Sequence, residues 1–355
     1  MTTKRPHTSP ASAGAAAAER EVAGAGGMPY VADMATGRTV QPPVATPAPR
    51  TRTAPPSPTA ADFPGCKPVH LPREELDHGD VRLEYWDVVT ETAWICDRVS
   101  SYHEGPTHGL AALVRLIAAV RGAPVKCFGS TDLTERDAAG EPRLIMQADQ
   151  SVYLHPARAR LPVPVLTIGE HDFPDVVLEV DHTTDARRRK LPQYEAWGFP
   201  ELWIEVPEAD APSRPRSRRS GLTIHLLEDG AYREEAASRA FPGWTAAEIH
   251  AALNEQTFSA QTSAALERVG AVLGEREGTG PDDDPLLGAQ RRRSRAEGRA
   301  EERTEFARAL LAARGIEISA GFPGVPGFAE LPRHAIVAAA NACVIEADFR
   351  KRLSR

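Results

Sequence analysis

Apolar and acidic side chains alternate in the segment PDVVLEV, which begins at Pro174. This period of two predicts a β-strand in which Asp175 and Glu179 point the same way, with Val177 between them. The two carboxylates would lie several ångströms apart. They suit a divalent cation only if a third oxygen donor, or a bend in the strand, closes that gap.

A candidate third donor lies upstream, in LIMQADQSVYLHP. The pattern predicts another strand with Asp149 near its middle, and an acid inside an apolar strand is costly to bury unless it is paired or binds metal. Each acid also has an ordinary alternative. Asp149 could be an acid at a strand end, Asp175 a turn residue after Pro174, and Glu179 a side chain that faces solvent.

A basic segment follows the PDVVLEV strand and leads to another apolar strand, LWIEVP. Arg187, Lys190, Tyr194 and Trp197 recur at three- and four-residue spacing, which predicts one face of a helix. Pro192 is tolerated only in a first turn or at a kink, so the helix begins near Leu191 or bends there. Lys190 at this place could orient a metal-bound water and offset phosphate charge. The other interpretation is that Lys190 is a solvated member of the basic run.

Other patterns predict the surrounding elements. An apolar helix face ends at Arg121-Gly122, and the polar stretch GSTDLTERDAAGEPR is expected to be a loop. A hairpin is predicted to turn at Glu228–Gly230. Thr245 is expected to be the N-cap of the next helix. A last helix is expected over about Leu331–Arg352, for packing against the core or a partner.

Composition sets wider bounds. The chain has 355 residues, of which 41% are hydrophobic, so it can bury one substantial core. Residues 1–62 are rich in Ala, Pro, Thr and Gly, and we expect a disordered tail because they cannot offset their ordering entropy. No stretch has the length of a membrane span or the core of a signal peptide, so we expect a cytoplasmic protein without membrane contact. Four widely spaced cysteines without a CxxC pair favour reduced packing residues over a zinc site or a disulfide framework.

The formal net charge of −7 lends no support to a broad nucleic-acid-binding surface. Local basic patches remain at Arg187–Lys190, Arg214–Arg219 and Arg291–Arg295. The second patch lies in a Pro- and Ser-rich stretch, which is either a solvated loop or a contact to a phosphate backbone. Residues 256–355 are predicted to form a charged helical C-terminal extension.

Several of these segments, in order, resemble one family. The ADQ-x-x-Y-L-x-P segment, the PDVVLEV strand, the lysine of the next helix, Y-x-x-W-G-F-P-E and the strand LWIEVP are similar to the Uma2-like family of restriction-endonuclease-type proteins, within the PD-(D/E)xK nuclease superfamily. The resemblance covers about Leu71–Leu253, and the domain is placed at residues 66–255. It implies an α/β fold with a restriction-endonuclease-like mixed central sheet flanked by helices, and Mg²⁺-dependent cleavage of phosphodiester bonds.

Carried over residue by residue, the resemblance implies a site. Asp149, Asp175 and Glu179 match the family's acidic positions, and Lys190 matches its helix lysine. The segment RLEYWD resembles the family's opening segment and adds Glu84 as a supporting acid. The implied metal ligands are the four acids, and the implied catalytic residues are Asp149, Asp175, Glu179 and Lys190.

Two further residues qualify that site. The segment SYHEGPTHG resembles one that carries a histidine before a long helix, here His103, which is a weak candidate for a phosphate contact and otherwise a packing histidine. Two residues after Glu179, where many of these nucleases have lysine, this chain has Asp181. Lys190 would therefore act from the helix, unless Asp181 is itself a fourth acid near the metal.

Three functions remain in competition. We expect an Mg²⁺-dependent endonuclease that acts on nucleic acid, with DNA favoured over RNA. The first alternative is a catalytically silent nucleic-acid-binding or regulatory module on the same fold. The second is a protein-interaction scaffold built on the charged C-terminal helices. Assembly into a homo-oligomer is left open.

Overall fold

The computed structural model describes residues 57–76, 83–96, 101–161, 165–182, 185–209, 214 and 218–354. These residues belong to one compact unit. Most of the tail predicted to be disordered, residues 1–56, lies outside the described residues.

The described chain alternates strands and helices. Its ten strands are β1 (Cys66–His70), β2 (Leu83–Asp87), β3 (Thr92–Cys96), β4 (Lys126–Arg136), β5 (Pro142–Tyr153), β6 (Val165–Thr167), β7 (Val176–Val180), β8 (Glu201–Val206), β9 (Gly221–Glu228) and β10 (Ala231–Glu235). Its seven α-helices are α1 (Ser101–Arg121), α2 (Lys190–Trp197), α3 (Ala246–Asn254), α4 (Ala260–Glu277), α5 (Gly288–Ala313), α6 (Arg333–Ala342) and α7 (Glu346–Leu353).

The ten strands form one mixed sheet in the order β1-β3-β2-β5-β7-β8-β9-β10, with β4 on the other edge of β5 and β6 beside β4. Strands β7 and β8 are parallel and are joined by α2, whereas the pairs β5–β7 and β8–β9 are antiparallel. Helices cover both faces, because strands buried on both sides need apolar cover on each. The predicted mixed sheet flanked by helices is therefore confirmed.

Alternation along β7 divides the core between these two faces. Val176, Leu178 and Val180 pack with α1, α3 and α4 on one face. Val177 packs on the other face with Tyr194 and other residues of α2. Glu179 shares the parity of Val177, so its side chain lies on the α2 face.

Local signals in the sequence were read correctly at several places. Helix α1 ends at Arg121, followed by Gly122 with a φ of +80°. Strands β9 and β10 are joined at Asp229 and Gly230, both with positive φ. Thr245 caps α3 and forms a capping box with Glu248.

Two predicted elements were wrong. The polar stretch before the Asp149 strand is a loop only at residues 137–141. Its first part, GSTDLTER, belongs to β4, which pairs with β5 along nearly its whole length and forms a strand's backbone hydrogen bonds in spite of its polarity. The predicted last helix is two helices, α6 and α7. The helical conformation is interrupted at residues 343–345, where Val344 and Ile345 are exposed.

The cysteine prediction was also wrong in part. Cys66 and Cys96 form a disulfide between β1 and β3, while Cys127 and Cys343 are free thiols. The two strands are antiparallel, and their register places Cys66 directly opposite Cys96. A separation of 30 residues conceals that contact in the sequence.

The C-terminal residues do not form one separate body. Helix α4 contributes Leu266, Val269 and Leu273 to the core on the α1 face of the sheet. The second half of α5 packs with α6 and α7 in a smaller core that contains Leu311, Ile336 and others. No helix among the described residues is long and apolar enough to cross a membrane.

Candidate active site at a fork in the sheet

The central strand β5 changes its neighbour halfway along one edge. Its first half pairs with β2, where Met146 lies opposite Tyr85, and its second half pairs with β7, where Gln150 lies opposite Leu178. The sheet forks between these two points, at residues 147–149. Backbone groups at such a fork lose their strand partner and need another one.

Two charged side chains supply those partners. Lys190 Nζ donates to the carbonyl oxygen of Gln147 at 2.8 Å. The backbone N–H of Val180 donates to Oδ2 of Asp149 at 2.8 Å. Asp149 and Lys190 are thereby held at the fork by main-chain contacts, and both are buried.

Glu84 reaches the fork from β2 because of a bulge. Leu83 pairs with Ile95 and Tyr85 with Trp94, so Glu84 is the extra residue of that strand. A bulge re-aims the side chain of its extra residue. Here Oε1 of Glu84 lies 2.6 Å from Lys190 Nζ, and Glu84 is 4% exposed.

Glu179 completes the acidic group from β7. Its Oε2 lies 2.9 Å from Lys190 Nζ, and its Oε1 accepts a hydrogen bond of 2.5 Å from the hydroxyl of Tyr194. Lys190 and Tyr194 are four residues apart on α2, so they project from the same face of the helix. Pro192 lies in the first turn of α2, where proline is tolerated.

His103, in the first turn of α1, contacts Oδ1 of Asp149, the oxygen that Val180 does not contact. Its Nε2 lies 3.0 Å from Oδ1 of Asp149, and both side chains are largely buried. We call the group that meets here the fork cluster; its members are Glu84, His103, Asp149, Glu179, Lys190 and Tyr194.

Burial and the contacts within the fork cluster shift the pKa values of its members. Burial raises the pKa of Glu179 to about 8, with Asp149 and Glu84 adding to the rise and Lys190 opposing it. Burial acts to lower the pKa of Lys190, but the three carboxylates outweigh it and hold that pKa above its ordinary value. Burial also raises the pKa of Tyr194 well above 10, so its hydroxyl stays a donor.

The donor set of the fork cluster has the chemistry of a magnesium site. Mg²⁺ prefers carboxylate oxygens. Three ionised carboxylates exceed the positive charge that Lys190 and the imidazole of His103 can supply. The pKa of Glu179 is raised mainly by burial, and the charges of Asp149 and Glu84 add to the rise. The positions of these side chains do not match a metal site. Within the described residues, no three acidic, histidine or cysteine side chains are grouped so as to hold a metal ion.

Asp175 lies apart from the fork cluster, just before β7. Its Oδ2 accepts from the N–H of Leu154 at 2.7 Å, and its Oδ1 lies 2.6 Å from the guanidinium of Arg158. The shared parity of Asp175 and Glu179 therefore does not bring their carboxylates together.

Asp181 also has partners of its own. Its Oδ1 accepts from the N–H of Ala186 at 2.8 Å, and its Oδ2 lies 2.9 Å from Arg187. Burial raises the pKa of Asp181 to about 7, while the contacts with Ala186 and Arg187 oppose the rise. The carboxylate links the start of the basic segment to the end of β7.

Sequence reasoning placed Tyr194 on the right helix face but gave it no part in the site. Its spacing of four residues from Lys190 was the available signal, since such pairs meet the same neighbours. The contact of Lys190 with the carbonyl of Gln147 had no signal in the sequence, because it depends on where β5 changes its partner.

Comparisons with known proteins add little to this geometry. No family model matches the chain, and no curated protein matches it. Among solved structures, a chain described as "a putative nuclease belonging to DUF820 from Anabaena variabilis ATCC 29413" is similar over 49% of this chain and 84% of that chain, at 10% identity and a TM-score of 0.29. A likeness of this size carries no argument about this chain.

Proposed function

We propose that this chain hydrolyses phosphodiester bonds of nucleic acid at the fork cluster, with Mg²⁺ as its cofactor. One observation carries the proposal: acids from three strands, Glu84, Asp149 and Glu179, converge with Lys190 at one buried point. A structural ion pair needs one acid for one lysine. Buried carboxylates in excess of their cations are costly, and they are expected where a cation or a reacting group is bound.

In this proposal Glu84, Asp149 and Glu179 would hold the cation. Bound there, Mg²⁺ would compensate the charge of the carboxylates and of the scissile phosphate and would lower the pKa of a water. Lys190 offers its ammonium to the negative charge that develops on the phosphate. Tyr194 and His103 orient Glu179 and Asp149 through the hydrogen bond and the ion pair described above.

DNA is the substrate we favour, because the motifs that resemble the Uma2-like family imply a restriction-type endonuclease. Asp175 was implied as a ligand by the same resemblance. We assign it instead to the Arg158 contact, which leaves it outside the proposed ligand set.

One observation favours a second function. Both oxygens of Asp149 and of Glu179 already have protein partners, and the described residues form no metal grouping. A nucleic-acid-binding module with the same fold but without catalytic activity would have carboxylates that bind only protein groups in this way. It predicts retention of nucleic acid without cleavage.

The experiment is cleavage of DNA by the purified chain in Mg²⁺, with EDTA in a parallel reaction. We expect Mg²⁺-dependent cleavage that Glu179→Gln abolishes, because the amide removes a charged ligand and keeps the side-chain size. The matched control is Glu205→Gln. Glu205 is buried in the neighbouring strand β8 and is bound by His250 and Asn254 instead of Lys190.

The outcomes separate the two functions. Cleavage that survives Glu179→Gln, or that persists in EDTA, would remove the fork cluster from the reaction. Binding of DNA without cleavage, in Mg²⁺ and in Mn²⁺, would favour the silent module. Loss of cleavage in Asp175→Asn, with the thermal unfolding midpoint unchanged, would return Asp175 to the ligand set.

A further inference from the structure

An exposed aromatic side chain lies beside the fork cluster. Tyr102 is 55% exposed in the first turn of α1. The next residue, His103, contacts Asp149 at 3.0 Å. The ring of Tyr102 is therefore at the surface one residue from a side chain that enters the candidate active site.

The ring of Tyr102 has a buried neighbour. The ring centroid of His182 lies 5.6 Å away, with an angle of 35° between the two planes. His182 itself is 6% exposed and follows the end of β7, three residues after Glu179. An aromatic ring that packs against an imidazole and is still half-exposed offers surface on which a planar group can stack.

Arg214 is a cation near this pair of rings. Burial lowers the pKa of His182, and the charges of Arg214 and His103 lower it further, which places both groups within electrostatic reach. One N–H of the Arg214 guanidinium donates to the carbonyl oxygen of Pro207 at 2.7 Å, which orients the side chain. The N-terminus of α1 adds the positive end of a helix dipole at Tyr102.

We propose that Tyr102, His182 and Arg214 bind one nucleotide of a single-stranded nucleic acid, with the base stacked on Tyr102 and its phosphate at Arg214. This deepens the proposed function, on which it rests, by naming the form of the substrate. A base inside a duplex is covered by its neighbours on both faces, so a stacking platform at the surface selects an unpaired strand. The strand would then continue past His103 to the fork cluster.

The charge of the whole chain agrees with that selection. A duplex-binding surface normally shows a broad basic excess, whereas this chain has a formal net charge of −7. A site with few phosphate contacts has to draw its affinity from stacking, which does not depend on charge.

The test is binding of a fluorescein-labelled single-stranded DNA oligonucleotide, followed by fluorescence anisotropy in EDTA so that no cleavage takes place. Tyr102→Ala should weaken binding about fivefold or more, and Tyr102→Phe should restore it, because stacking needs the ring and not the hydroxyl. Arg214→Ala should make the salt dependence of log K shallower by about 0.7, the value of one single-strand phosphate contact. The matched controls are Phe258→Ala and Arg233→Ala, which change an exposed aromatic and an exposed arginine elsewhere.

Several results would overturn this inference. They are no binding by the wild-type chain, equal affinity for the single strand and the matching duplex, or an effect of Tyr102→Ala no larger than that of Phe258→Ala. These results are separable from failure of the proposed function. Cleavage that is unaffected by Tyr102→Ala would contradict the stacking site and would still support nuclease activity. Binding that depends on Tyr102, without cleavage in any divalent metal, would contradict nuclease activity and would still support the stacking site.

Discussion

Replacement of Lys190 by methionine is the sharpest test of the fork cluster as a charged network. The ammonium lies within 2.9 Å of both Glu84 and Glu179, donates to the carbonyl of Gln147, and belongs to a side chain that is 2% exposed. Methionine keeps nearly the same volume, so packing changes little. The cost therefore comes from two carboxylates and one carbonyl that lose their common partner.

Removal of one partner from a buried ion pair costs about 3–5 kcal/mol, because it leaves an uncompensated buried charge. For a chain of this size, that loss lowers the thermal unfolding midpoint by on the order of 10 °C. The loss should be smaller at pH 5 than at pH 8, because a carboxylate without its ammonium can take up a proton. Thermal and urea unfolding of Lys190→Met, followed by circular dichroism at both pH values, measures each effect.

Lys351→Met is the matched control, because Lys351 is an exposed residue of α7. It should change the free energy of unfolding by less than about 0.5 kcal/mol. If Lys190→Met costs no more than Lys351→Met, then the carboxylates do not depend on Lys190 for their charge. The fork cluster would then not be a network of coupled charges.

Two further predictions concern pH and the disulfide. The pKa of Glu179 is raised from 4.5 to about 8 in the folded chain, so between these values the folded state holds a proton that the unfolded state has lost, and stability should fall as the pH rises through this window. Glu179→Gln removes that contribution, and a free-energy difference from wild type that stays constant between pH 5 and 8 would contradict the assignment. The Cys66–Cys96 bond closes a loop of 30 residues, so its reduction by a thiol should lower the free energy of unfolding by about 3–4 kcal/mol in the chain-entropy account. Unfolding that is the same with and without reductant, after free-thiol counting has confirmed reduction, would refute this.

Much of the fold could be predicted because its signals are local. The strands around Glu179 and along LWIEVP, the end of α1 at Gly122, the hairpin turn and the Thr245 cap each depend on residues a few positions apart. Elements that depend on distant partners were missed. Strand β4 is polar and is held by its pairing with β5, and Cys66 meets Cys96 only through the register of β1 and β3.

The sequence by itself determined which acids lie inside apolar strands and that Lys190 shares a helix face with Tyr194. The tertiary structure decided which of these side chains meet. Glu84 enters because of a bulge in β2, and Asp149 and Lys190 enter because β5 changes its partner between Met146 and Gln150. Asp175 has the parity of Glu179 and yet binds Arg158, since parity gives the face of a strand and not the position along it. Contacts across a sheet depend on register and on neighbouring strands, and a single strand's pattern contains neither.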